Sequence, residues 1–317
     1  MGSQSDSKVL SLAMPLMDRP FIFHVIEHLV SQDIKDIHMV VCQPFDLVKE
    51  LVNDGSRWGI SITYHHAQMS KDIYKTVQYV DNFSDKDPFL LVNGHNLPVV
   101  DIIVSKPDNT NANPLLYTCS HGNKPPSWTG WAWIFKKHLY HFHNSHDMDM
   151  LYNALMKEGG QKADSFDCLC ANSYHDLYNS HFQMIQKKVL DLKFSGNEVE
   201  NGIWISRNVK LHPTAKVYSP VFLGENSEIS AGCTIGPNAF VGKNCFVGEK
   251  TEIADSVVFS ETFMGEGLEI KRFLVNKKQL FNHKSGALVP IPEDFILGDF
   301  STFSSYNPLK KFLKRFL

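Results

Sequence analysis

Long apolar runs, dense cysteine and early glycine are what this 317-residue chain has least of. No stretch approaches the roughly 18–20 consecutive apolar residues that a membrane-spanning helix needs, so no segment is expected to cross a bilayer. The opening residues Met1–Lys8 are polar and small, without the apolar core of a secretory signal. Six cysteines, at 42, 119, 168, 170, 233 and 245, are scattered through mostly apolar surroundings. That is too sparse for a disulfide framework and predicts a reduced, cytoplasmic protein. Charge of one sign is also lacking: 31 basic and 34 acidic side chains leave a formal net charge of −3. This balance gives no electrostatic reason to expect nucleic acid as a partner. Between Gly2 and Gly55 there is no glycine at all.

What the chain does have is a period. Its length allows two domains, and in the second half every sixth residue from Ile205 is aliphatic: Leu211, Val217, Leu223, Ile229, Ile235, Val241, Val247 and Ile253, with Phe259 next. If such aliphatics are roughly a fifth of residues, nine in a row arise by chance about once in a million. Four residues after each aliphatic runs a second track, Val209, Ala215, Val221, Ser227, Cys233, Ala239, Cys245, Thr251 and Val257, every one small or β-branched. Gly224, Gly236, Gly242 and Gly248 each follow an aliphatic directly, where glycine is expected to permit tight turning. One bulky side chain per hexad would fill an interior, and each rung would hydrogen-bond to the next. This pattern resembles the hexapeptide-repeat proteins, which implies a left-handed parallel β-helix with three hexads per turn and a little over three turns. The frame slips after Phe259, where Met264-Gly265 arrives one residue early, and the helix is expected to end nearby.

The first half reads as α/β. Phe21, Val25, Ile26 and Leu29 share one helical face after Arg19-Pro20. Strands are expected at Ile37–Cys42, Ile60–His65 and Phe89–Asn93, with helices at Phe45–Val52 and Lys71–Val80 between them. Such alternation predicts parallel βαβ units with helices on both faces. In sheets of that kind a ligand sits beyond the carboxyl ends of the strands, which points to Asn93, Gly94 and His95.

Several segments carry a more specific resemblance. Met14-Pro15-Leu16-Met17-Asp18-Arg19-Pro20-Phe21 followed by His24–Leu29, Asp54-Gly55-Ser56-Arg57-Trp58-Gly59-Ile60, Leu90–His95 and Gly130–Phe135 are similar to segments of the sugar-nucleotide pyrophosphorylases, including the mannose-1-phosphate guanylyltransferases. The resemblance implies a Rossmann-like nucleotidyltransferase domain ahead of the β-helix. It implies a sugar or nucleotide pocket at Asn93, Gly94, His95 and Trp131, and a reaction joining a nucleoside triphosphate to a sugar 1-phosphate with release of pyrophosphate.

The chemistry of that reaction has no counterpart here. Such enzymes cradle phosphates on a Gly-rich loop with a basic residue, and hold Mg²⁺ on two aspartates. Leu10-Ser11 stands where the family has Pro-Lys, Met69–Ile73 replaces a glycine-bearing loop, and His95 and Cys170-Ala171-Asn172-Ser173 stand at the metal positions. A His/Cys set suits zinc better than a hard magnesium ion. The expectation is therefore a sugar-nucleotidyltransferase-like protein of surface polysaccharide biosynthesis, catalytically degenerate, with no catalytic residue, no metal site and no cofactor, acting by binding or scaffolding. The alternatives are an active NDP-sugar pyrophosphorylase, a guanylyl- or related transferase using Mg²⁺, and a hexapeptide acyltransferase with His212 or His283 as base. The α/β front half fits the acyltransferases poorly.

Three further features complete the reading. His138, His141, His143 and His146 cluster near Asp147 and Asp149, yet their spacing matches no zinc motif and reads as a half-exposed polar element. Cys168 and Cys170 stand too close for the usual two-residue-spaced redox or zinc pair. At the C-terminus, Leu309, Phe312, Leu313, Phe316 and Leu317 share one helical face opposite Lys310, Lys311, Lys314 and Arg315. This basic amphipathic tail can lie on an anionic membrane, at the inner face, or in a partner's groove, with Phe312 and Phe316 as apolar contacts. The expected partition is residues 1–200 for the α/β domain, 201–300 for the β-helix and 301–317 for the tail. Sugar phosphates or sugar nucleotides are the expected ligands, and a dimer or trimer built on β-helix ends or faces the expected assembly.

Overall fold

The computed structural model describes residues 12–42, 44–80, 83–107, 113–120, 125–186 and 196–301. The basic tail, with Lys310, Lys311, Phe312, Lys314, Arg315 and Phe316, lies outside the described residues. Two compact units share the chain. The first holds residues 12–14 and Pro20–Asn172; the second holds Pro15–Arg19 and residues from Ser173 onward.

In the first unit, Pro20, with φ −53°, leads into helix α1 (Phe21–Ser31), whose Phe21, Ile22, Val25, Ile26 and Leu29 are buried. The helix stops at Gln32, and Asp33 turns the chain with φ 58°. Strand β1 (Asp36–Val41), helix α2 (Phe45–Val52) and strand β2 (Ser61–His66) form the expected βαβ unit, with the two strands parallel and Ile37 opposite Ile62. The bend into β2 is built from its own side chains: the Asp54 carboxylate accepts from the Ser56 amide at 3.0 Å, and Gly55 and Gly59 take φ 85° and 71°. A Cβ on Gly55 would stand 2.8 Å from Ile62, so glycine is required twice over. The expected helix over Lys71–Val80 is a 3₁₀ turn, Ser70–Asp72, followed by α3 (Ile73–Gln78).

Beyond this point the expected all-parallel pattern gives way to a mixed sheet. Strand β3 (Phe89–Leu91) pairs antiparallel with β6 (Ser127–Ile134), β6 pairs antiparallel with β5 (Leu115–Cys119), and β5 runs parallel to β7 (Gln161–Phe166). The connection from Cys119 to Ser127 is too short for the crossover a parallel pair needs, so β5 and β6 must run antiparallel. Strand β4 (Asn96–Pro98) pairs antiparallel with β8 (Cys168–Cys170). Strand β6 is buried from Trp128 to Ile134, and its Trp128, Ala132 and Ile134 pack with Leu116, Leu139, Phe142, Leu151 and Leu155 of the strand, 3₁₀ turn and helix α4 (Met148–Lys157) around it.

The second unit is a parallel β-solenoid. Its strands fall on three sheets, and on one of them Ile203, Val221, Ala239, Ser256 and Phe273 stand on five successive rungs, so the chain completes about four turns. Ile203 pairs with Val221, Lys210 with Glu228 and Lys216 with Thr234, an offset of 18 residues on each sheet. Leu223, Ile229, Ile235, Val241, Val247 and Ile253 point inward and are essentially fully buried, as the six-residue period requires. Two expectations are corrected. The slip comes before Phe259, not after it: Ile235 pairs with Ile253 at 18 residues, but Val241 pairs with Val258 at 17. The lost residue is at the corner where Asp255 takes φ 45°. Nor does the solenoid end there, because Thr262–Met264, Glu269–Lys271 and Phe273–Asn276 lay down another coil.

The glycines also differ from expectation. Among the four that follow an aliphatic, only Gly236 has positive φ, at 99°. A Cβ on Gly224 would lie 2.4 Å from the carbonyl carbon of Gly242, and one on Gly242 would lie 2.5 Å from the Ser260 amide. Close approach of successive rungs, not turning, excludes a side chain there. At another corner Asn208, Asn226 and Asn244, with φ of 55°, 59° and 52°, form a ladder whose amides bond at 3.2 and 3.1 Å. Antiparallel strands close both ends: Asn197–Glu200 against Ile203–Ile205, and Gln279–Asn282 with Leu288–Pro290 beyond Phe273–Asn276. Helix α5 (Tyr174–Ile185), capped by the Ser173 side chain, packs on the outward apolar residues of one sheet, its His181 beside Phe240 and Phe259.

Candidate functional site

The loop that leaves β3 is where the α/β pattern places a pocket, and its residues are held by a dense set of bonds. Asn93 turns back on itself: its Oδ1 accepts from the His95 amide at 3.1 Å, and its carbonyl accepts from the Asn96 amide at 3.1 Å. Its Nδ2 reaches the Met148 sulfur at 3.1 Å. Trp131, fully buried on β6, sends its indole N–H to the carbonyls of Asn93 (3.1 Å) and Asn96 (2.7 Å). Trp131 is thus a prop under the loop. Gly130, just before it, has φ 80°, and a Cβ there would strike that of Asn93 at 2.5 Å. Gly94 faces Leu12, 3.4 Å from where its own Cβ would be.

The two segments matched to metal positions do come together. The Ala171 amide donates to the His95 carbonyl at 2.8 Å, and the Asn172 side chain donates from Nδ2 to Oδ1 of Asn96 at 2.6 Å. The Nδ2 of Asn96 in turn donates to the Thr129 carbonyl at 2.8 Å. Between Asn93 and Pro98, and between Cys168 and Asn172, the sequence has no carboxylate. The donors are amides, one imidazole and thiols, a set that does not match the hard, carboxylate-rich shell magnesium prefers. Among the described residues no group of three or more His, Cys, Asp or Glu side chains is placed to hold a metal ion.

Asn96 and His28 were not singled out from sequence, and the pairing of Asn96 with Asn172 was not foreseen. Asn96 and Asn172 are 76 residues apart, and nothing local in the chain marks them as partners. His28, on the last turn of α1, has its ring 6.1 Å from that of Trp131. Burial pushes its imidazole below the ordinary value, opposed by the Val100 backbone and Asp101. Its helical spacing from Leu29 and Ile26 gave no reason to separate it from the core.

The other candidates fall apart into structural roles. His138 is buried, and its Nδ1 accepts from the Phe135 amide at 3.1 Å. His141 lies on the Tyr140 ring and 3.5 Å from Glu158, while His143 and His146 are exposed. Cys168, Cys170 and Cys119 form a buried cluster, with 3.7 Å between the first two sulfurs. The neighbouring thiols and burial push Cys168 well above the ordinary range, which keeps that sulfur in its thiol form. Lys71 stands on an exposed 3₁₀ turn. In the second unit, the Met17 amide within the proline-flanked motif is bonded to Nε2 of His181 at 3.0 Å. The exposed His212 is engaged with Thr214 at 2.9 Å, and His283 lies in a ring stack.

Comparison with known proteins agrees with this two-part plan. The family model described as Nucleotidyl transferase matches residues 7–103, and the one described as GMPPB C-terminal domain matches residues 217–302. In that order they fit a sugar-nucleotide transferase with a β-helix behind it. A Bacillus anthracis protein provisionally assigned as a glucose-1-phosphate thymidylyltransferase, solved with sucrose, matches at 15% identity over 58% of this chain and 88% of its own, with a TM-score of 0.45. No curated protein matches the chain.

Proposed function

We propose that the front unit of this nucleotidyltransferase-type chain binds a sugar phosphate or sugar nucleotide without joining a nucleoside triphosphate to a sugar 1-phosphate, and that the protein serves surface polysaccharide biosynthesis by binding or scaffolding. The observation that carries this reading is the 2.6 Å bond from Asn172 to Asn96. The bond ties Asn96, next to His95, to the Cys170–Ser173 segment, and at neither of these places, where the resemblance calls for a carboxylate, does the chain have one. An amide pair brings no negative charge to offset a divalent cation, and Asn96 has both ends of its side chain engaged already. Without the cation, the charge that builds on a transferring phosphoryl group has no strong partner in this crevice. Binding survives that loss, because sugar hydroxyls and a base need hydrogen bonds and apolar contact instead. Left-handed winding of the solenoid, and self-association through its ends or faces, belong to the same proposal.

Thermal unfolding with and without magnesium tests the reading. A sugar nucleotide at 100-fold its Kd is expected to stabilise the chain by about 2.7 kcal/mol, equally in magnesium and in chelator. Stabilisation that appears only with magnesium contradicts it.

A further inference from the structure

We propose that the concavity beside α5 in the solenoid unit is a binding site for a small phosphorylated sugar, with Arg272 and His283 taking the phosphate and Asp255, Asn238 and Gln186 the hydroxyls. The concavity has a volume of about 380 Å³ and is lined by these residues with Tyr178 and Phe182. Volumes of roughly 300–1,000 Å³ are typical of small-molecule sites, so this one suits a compact ligand.

Its two walls have different origins. One is the face of α5 on which Tyr178, Phe182 and Gln186 recur every fourth residue, the spacing of a helical stripe. The other is a solenoid corner where Asn238, Asp255 and Arg272 stand one rung apart, with φ of 52°, 45° and 64°. Tyr178 is pinned, its hydroxyl donating to the Asp255 carbonyl at 2.6 Å and its ring stacked on His283 at 4.1 Å. His283 is in turn stacked on His175 at 4.4 Å. The wall is therefore rigid before any ligand arrives, which lowers the entropy lost on binding.

The charges in this corner are what point to a ligand. Asn238 donates to Asp255 at 2.9 Å, and Gln186 donates to Asn238 at 3.1 Å. The next step of the column breaks the pattern. Arg272, one rung from Asp255, makes no ion pair among the described residues. At another corner the comparable charges do close, with Lys277 reaching Glu261 at 3.2 Å. A guanidinium fork beside an imidazole suits a phosphate, and a carboxylate at the end of a chain of two amides suits the hydroxyls of a sugar. A nearby tyrosine and phenylalanine supply apolar surface for the ring's C–H face. The site shares no residue with the loop around Asn93, so it stands independently of the reading given for the front unit.

Calorimetric titration of the full chain with glucose 6-phosphate, inorganic phosphate and glucose distinguishes the parts of the ligand. Glucose 6-phosphate is expected to bind at least about tenfold more tightly than either fragment, and Arg272→Gln to weaken it about tenfold or more. Arg272→Lys, which keeps the charge and loses the fork, is expected to recover only part of that affinity. Asp255→Asn should weaken the sugar phosphate and leave inorganic phosphate unaffected. Absence of binding by glucose 6-phosphate up to about 10 mM would overturn the proposal. So would equal affinity for inorganic phosphate, or undiminished binding by a folded Arg272→Gln chain.

Discussion

Asn172 and Asn96 meet at 2.6 Å, side-chain amide to side-chain amide, joining the segment after β8 to the loop after β3. Asn96 is buried, whereas Asn172 reaches the surface. The bond therefore satisfies a buried acceptor from an exposed donor. Replacing Asn172 by Ala leaves the Asn96 oxygen short of a partner and is expected to destabilise the front unit by about 1 kcal/mol. Urea unfolding of the variant measures this; a midpoint identical to that of the parent chain contradicts it.

Gly242 has another chain rung where its side chain would be. Gly242→Ala places a Cβ 2.5 Å from the Ser260 amide and 2.9 Å from the Phe259 carbonyl carbon, both backbone atoms that cannot swing away. Prying the rungs apart is expected to destabilise the solenoid by at least 1–3 kcal/mol, on the order of the usual overpacking penalty. Circular dichroism melts check the size of the effect, and an unshifted melt would show that the rungs are not packed this closely.

His138 links stability to pH. Burial, with Lys137 nearby, pushes its imidazole from the ordinary 6.5 down to about 4. Its Nδ1 accepts the Phe135 amide, so a proton added at that nitrogen also breaks this bond. Between pH 6.5 and about 4 the unfolded chain holds a proton that the folded chain refuses. Stability from this residue is thus fully present above 6.5 and drains away as pH falls through that window. His138→Gln is expected to lower the Tm at neutral pH but to lose less on acidification than the parent. Parallel Tm-against-pH curves for the two chains rule the assignment out.

The solenoid was legible because its rule is local and repeated: one inward aliphatic per hexad, seen nine times over. Its one defect was read in the wrong place. Ile253 is followed by a run of three apolar residues, Val257, Val258 and Phe259; the inward one is Val258, while Phe259 lies against His181 of α5. Periodicity alone cannot choose between adjacent apolar residues when only one extra contact decides. Likewise the Asp54–Gly59 turn was legible as a motif, since its bonds span two or three residues. The Asn96–Asn172 pair was not, because a contact 76 residues apart leaves no local trace. The antiparallel pairing of β5 with β6 was not read from the sequence, because it depends on a connection too short for a helical crossover.

The basic amphipathic tail gives a test of its own. The sequence expectation of an amphipathic helix there predicts binding to a surface that buries its apolar stripe. The full chain is expected to pellet with vesicles containing anionic lipid, and a chain ending at Ser305 to stay largely in the supernatant. Equal pelleting of the two rejects the tail as a membrane contact.

On the proposed reading the front unit lacks the groups that make a sugar-nucleotide pyrophosphorylase react. Pyrophosphate release is the direct measurement: each nucleoside triphosphate with mannose 1-phosphate or glucose 1-phosphate, in magnesium. The expected result is release no faster than in the protein-free blank. Release that depends on the chain and is abolished by Asn93→Ala would contradict the account and make the protein a working NDP-sugar pyrophosphorylase.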